Sequence, residues 1–179
     1  MTNTTFALVA LGFATCVWAW WGLIPALLAR RNLAGVRLVT CPETGGVAAV
    51  GFDRLHAAFT ALVHHQPEVR LGHCSRWAVR GPCDHACIPE AALPDSAVTN
   101  IVAHWSAQRS CALCRKPLIE APLVGHHIAL LSSDGVTNEW PDVPPEVLPE
   151  TFRTRQPVCW DCHVAETFRR KYPELVTNR

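Results

Sequence analysis

Nine cysteines in a chain of 179 residues are the side chains best suited to chemistry, and they fall into groups of one, four and four. Cys16 stands alone in an apolar run, where a thiol acts as a small apolar side chain. Cys41, Cys74, Cys83 and Cys87 form a first set; Cys111, Cys114, Cys159 and Cys162 form a second. Two sets of four thiols match the needs of two tetrahedral metal sites.

The second set is the more regular. Cys111-Ala112-Leu113-Cys114 and Cys159-Trp160-Asp161-Cys162 are both C-x2-C pairs, separated by 44 residues. A tight turn at each pair aims two thiolates at one ion, and two pairs complete a tetrahedron around Zn2+. The competing reading is a set of reduced core thiols without metal. Thiol redox chemistry at either pair would call for a thioredoxin-like βαβ setting, which the sequence does not show. The first set has 32, 8 and 3 residues between successive members. Cys83 and Cys87, four apart, can share a helical face, and Cys41 and Cys74 each follow an expected strand. A second Zn2+ is the expectation there, with His73 and His85 as substitute ligands and free thiols as the alternative. The spacing matches neither ferredoxin pattern.

Two C-x2-C pairs, with strands after the first and a helix starting at the second, resemble the treble-clef or zinc-ribbon class. That resemblance implies a first pair on a knuckle before a hairpin. It places the second pair at a helix N-terminus, whose partial positive charge favours thiolate. Two further resemblances compete. Cys159-Trp160-Asp161-Cys162-His163 spells C-x-x-C-H, the attachment motif of c-type haem, which would make His163 an axial ligand. Gly125-His126-His127-Ile128-Ala129-Leu130 between the pairs resembles the order of HNH nucleases, in which one histidine activates water and another binds the catalytic metal. The chain departs from that family in having no Asp before the histidines and no Asn-bearing helix after them. His126 and His127 otherwise read as strand-end polar residues, or one replaces a cysteine at the metal.

Compartment decides between these chemistries, and the elements that set it lie at the N-terminus. Residues 6–29 carry no charge across 24 positions. As a helix they cover about 36 Å, enough to cross a hydrocarbon core about 30 Å thick. Gly12, Gly22 and Pro25 are tolerated in membrane helices, and Trp18, Trp20 and Trp21 suit an interface. A cleaved signal peptide would need a basic n-region, a shorter apolar stretch and a small-residue cleavage site; here the run follows an uncharged tail and ends in Arg30-Arg31. With Arg37, these arginines form a positive flank that orients the following domain toward the cytoplasm. The expectation is a single-pass protein of a bacterial inner membrane. In a reducing cytoplasm metal is a more natural staple than disulfide, and haem attachment is disfavoured.

A net charge of +1 gives no strong pull toward nucleic acid. No nucleic-acid partner or small-molecule substrate is expected, no catalytic residue is assigned, and an enzyme is the less favoured class. The glycines and tryptophans of the anchor would suit packing against another membrane subunit. Fourteen prolines point to a loop-rich fold, and no internal repeat is evident beyond the cysteine pairs.

The soluble elements read as follows. Short apolar runs at 36–41 and 47–52 flank a glycine turn and predict a hairpin. Asp53 caps a helix over 54–65 with Leu55, Phe59 and Leu62 on one face, and a strand at 69–71 leads to Cys74. A second helix is expected from 95 or 96 to 109 and short strands within 117–140, with Ser132-Ser133-Asp134-Gly135 as a turn. A helical turn falls within 145–152, and a final helix starts near Asp161. The fold expected is α+β: a tail over 1–5, a transmembrane helix over 6–29, a first cysteine module over 30–94, and a helix plus metal module over 95–179. Cys74-Ser75-Arg76-Trp77 and the run from Cys159 to Arg170 are similar to segments of uncharacterised bacterial single-pass membrane proteins, which implies an architecture and no activity.

Overall fold

A computed structural model of the chain describes residues 3–81, 83–118 and 127–175. The chain divides into two compact units, Met1–Ala92 and Leu93–Arg179. The fold is mixed α+β.

The first unit opens with α1 (Asn3–Asn32), which holds Pro25 inside and Arg30 and Arg31 in its last turn. It is long and apolar enough to cross a membrane by length and composition. Phe6, Leu8, Trp18, Trp20 and Trp21 project from it, exposed. Three antiparallel strands follow in the order β1 (Arg37–Thr40), β2 (Val47–Phe52), β3 (Leu71–Cys74). Helix α2 (Arg54–His64) leaves β2 through Asp53, whose carboxylate accepts the His56 N–H at 2.9 Å and so satisfies one orphan donor of the first turn. Two one-turn helices, α3 (Trp77–Arg80) and α4 (Ile88–Ala91), complete the unit.

Helix α2 is where the pattern reading fails. Leu55, Phe59 and Leu62 do share a face, but they are 72%, 64% and 41% exposed. The buried residues are Ala57, Thr60 and Ala61, and Ala61 packs with Ala26 and Ala29 of α1. Small side chains let two helix backbones approach closely. Gly22 marks the tightest point, since a Cβ there would sit 3.0 Å from Leu62 Cδ1. The C-terminal third of α1 is therefore committed to the first unit as well as being apolar. Arg37, read from sequence as part of the positive flank, is buried: its guanidinium donates to the Asn32 carbonyl at 2.6 Å and lies over the Phe52 ring.

In the second unit a 3-10 turn over Pro94–Ser96 precedes α5 (Val98–Ser106). This helix is shorter than expected because Ala97 is extended (φ −65°, ψ 126°). A second antiparallel sheet has the order β5-β4-β6, with β4 (Ala129–Leu131), β5 (Thr137–Glu139) and β6 (Gln156–Val158). The expected turn lies between β4 and β5, closed by the Ser132 N–H to the Val136 carbonyl at 2.9 Å, with Gly135 at φ +78°. Strand β6 was not expected, because Pro157 breaks the strand pattern; as an edge strand it tolerates a proline. Helix α6 (Leu148–Thr154) precedes it and α7 (Trp160–Lys171) follows it. Val102, Leu130, Leu148 and Val158 are fully buried, and Trp105 stacks on Phe152 with ring centroids 4.4 Å apart.

Candidate metal centre

The first pair of the second set sits on a knuckle. Ser110 and Pro117 form an antiparallel bridge, and the chain between them folds back within six residues. The Cys111 N–H donates to the Lys116 carbonyl at 2.8 Å, and the Arg115 N–H donates to the Cys111 carbonyl at 3.0 Å. Arg115 adopts φ +64°, a left-handed conformation uncommon for a residue with a Cβ. The Ala112 N–H, donating to the Pro157 carbonyl at 2.9 Å, ties the knuckle to β6. That strand delivers the second pair: Cys159 is the extended N-cap of α7 and Cys162 lies in its first turn. The unexpected strand is thus the element that brings the two pairs together.

The four thiols of Cys111, Cys114, Cys159 and Cys162 lie within 4.8 Å of one another. Cys114 Sγ and Cys159 Sγ are 3.7 Å apart. A tetrahedron with metal–sulfur bonds of about 2.3 Å has edges of about 3.8 Å, so this spacing is that of ligands around an ion. All nine cysteines are free thiols. Four cysteines so placed can hold a metal ion such as zinc.

The thiols are not equivalent. Burial pushes Cys111 up, but N–H groups of Cys114, Cys159 and Leu113 directed at its sulfur outweigh that effect and lower it to about 6. The Cys159 N–H contributes at 3.4 Å. Cys159 is raised, by burial first. Cys162 is raised further, by burial and then by the neighbouring sulfurs of Cys159, Cys114 and Cys111. The helix-end thiols, expected to favour thiolate, are raised, and the Cys111 thiol on the knuckle is lowered.

The histidines take other roles. His163 Nδ1 meets Thr137 Oγ1 at 2.9 Å, its Nε2 lies 3.8 Å from Glu139 Oε1, and its side chain is 12% exposed. It pins α7 to β5, a role for Thr137 and Glu139 that nothing in their sequence context signals. With the ring so engaged and both thiols turned toward Cys111 and Cys114, the C-x-x-C-H motif has the geometry of a metal-ligand pair. His127 packs edge-on against Trp140, and His126 lies outside the described residues.

In the first unit Cys41, Cys74, Cys83 and Cys87 line one cavity of about 20 Å3 together with Trp77. Cys74 and Cys87 belong to the unit's buried cluster, with Cys41 packed against it. Among the described residues, Cys83 also meets Glu43 and Asp84 with ligand atoms within 4.8 Å of one another, a group that does not include the other three cysteines. His73 and His85 are outside both close groups; the His85 ring packs against Trp77.

No protein-family model matches the chain, and comparison with curated proteins and with solved structures likewise finds no match.

Proposed function

We propose that this chain is a membrane-anchored zinc protein whose second unit is a structural or protein-binding module, an accessory subunit of a membrane complex. The observation that carries the reading is the meeting of four thiols on a knuckle and a helix start, at the separation an ion requires. The order of knuckle, β4–β5 hairpin and α7 supports a treble-clef-like arrangement. Among the described residues, the close group consists of these four thiols, the ligand set of a structural tetrahedral site.

The anchor reading rests on α1, whose exposed apolar surface has no protein cover over most of its length. The exposed Leu55, Phe59 and Leu62 of α2, packed beside the same helix, would rest in the interfacial layer near the level of Trp21. Arg30 and Arg31 favour a cytoplasmic face for the soluble units, in a bacterial inner membrane.

Metal analysis and an absorption spectrum of the purified full-length protein test the proposal together. Bound zinc lost on Cys114→Ser supports it. A covalent c-type haem spectrum, or the absence of both zinc and iron, refutes it. A reporter fused to the C-terminus decides the topology: activity on the outer face would overturn the cytoplasmic orientation and bring disulfides and haem back into play.

A further inference from the structure

The hairpin tip of the first unit repeats the knuckle of the second, at an offset of 70 positions. In the second unit the knuckle lies between the paired residues Ser110 and Pro117; in the first it lies between the paired residues Thr40 and Val47. The Cys41 N–H donates to the Gly46 carbonyl at 2.9 Å, as the Cys111 N–H does to Lys116 at 2.8 Å. The Gly45 N–H donates to the Cys41 carbonyl at 2.8 Å, as the Arg115 N–H does to Cys111 at 3.0 Å. Gly45 and Arg115 share the left-handed conformation, at φ +66° and +64°. The sulfur environments also agree. The Thr44 side chain and the Thr44 and Glu43 backbones hydrogen-bond to the Cys41 sulfur, as the Cys114 and Leu113 backbones do to that of Cys111. One residue differs in chemistry: Thr44 stands where Cys114 stands.

A knuckle of this form presents a thiolate, and here it presents one instead of two. The other three cysteines of the unit come to the same place from separate segments: Cys74 from the end of β3, Cys83 from the loop after α3, and Cys87 from the start of α4. The cavity they line has room for an ion or a water. Four thiols lining one pocket supply a donor set for a thiophilic, tetrahedral dication, which would draw them closer than the separation they have here.

We infer that the first unit holds a second zinc site, ligated by Cys41, Cys74, Cys83 and Cys87, on a knuckle whose second ligand position is filled by Thr44. Glu43 and Asp84 lie beside Cys83 and would be the outer neighbours of the ion.

The test counts zinc per chain in the full-length protein, purified in detergent with Zn2+ supplied and excess ion removed. About two ions are expected in the unsubstituted chain and about one in Cys83→Ser. Thr44→Cys placed on Cys83→Ser should restore the second ion, because it rebuilds the thiol pair of the knuckle. Cys114→Ser should remove the other ion and leave this one. Circular dichroism on each variant separates loss of metal from loss of fold. One ion per chain that survives Cys83→Ser and disappears in Cys114→Ser overturns the inference while leaving the second-unit site intact. Failure of Thr44→Cys to restore the ion in a folded Cys83→Ser chain overturns the knuckle assignment.

Discussion

Metal binding at the second set should be steeply and non-uniformly dependent on pH. In a Cys87→Ser background, which confines the count to one site, binding at neutral pH must displace the protons of Cys159 and Cys162, both raised above the ordinary thiol value of 9.0. Each displaced proton changes the apparent affinity tenfold per pH unit. These two protons alone give at least a hundredfold per unit between roughly pH 7 and 8, or about 2.7 kcal/mol. Cys111 behaves oppositely. Its folded value is depressed from 9.0 to about 6, so its thiolate is present above that pH and is lost as pH falls through it. Below pH 6 a further proton competes with the ion, and the slope should steepen by about another tenfold per unit. Competition against a chromophoric chelator of known protonation, measured from pH 5 to 8, gives the slope directly. A slope below about tenfold per unit at pH 7 to 8 would refute the assignment of protonated helix-end thiols. A slope that does not steepen below pH 6 would refute the preformed thiolate at Cys111.

Three other outcomes follow from the packing. Leu148 is fully buried in the second unit, so Leu148→Ala should cost about 2–5 kcal/mol in denaturant unfolding of the zinc-loaded chain. Ala61 is fully buried against Ala26 and Ala29; Ala61→Leu should force α1 and α2 apart at a cost of about 1–3 kcal/mol, read as a lower melting temperature in detergent. Val17 lies exposed at the middle of the apolar run of α1, and Val17→Arg, at a cost of about 2.5–3.5 kcal/mol for a charge near a span centre, should move protein from the membrane fraction to the soluble fraction. An unchanged distribution would argue against the anchor.

What sequence reveals here depends on how local each feature is. The Asp53 cap was legible because the carboxylate and the N–H it accepts lie three residues apart. The paired thiols were legible because a C-x2-C turn is complete within four residues. The apolar run of α1 reads from composition alone. The buried face of α2 was not legible, because pattern reading sends large apolar residues inward. The partner here is a helix whose close approach selects Ala57 and Ala61 and leaves Leu55 and Phe59 outside. Strand β6 was hidden by Pro157, which only its edge position permits. The repeat of the two knuckles was hidden by Thr44: with no thiol at that position, Cys41 has no C-x2-C partner, and only the backbone shows that Cys41–Gly46 and Cys111–Lys116 make the same turn.

The second unit also explains why a metal would be structural there. Among the described residues its sheet has three strands of three residues each, a short ladder for a domain to rest on. One of its core clusters consists of Cys111, Leu118, Ala129 and Val158, with Cys159 and Cys162 packed against it. Three of the four thiols are therefore part of the apolar packing that positions the fourth. Without an ion, Cys111 tends toward a buried charge while Cys159 and Cys162 hold their protons, and the cluster carries an anion with no cation to offset it. An ion reverses that sign of effect, converting the charge from a cost into a ligand bond and tying the knuckle to β6 and α7 through one centre. Metal binding and packing in this unit are thus the same event, and removal of the ion should loosen the knuckle and the start of α7 together.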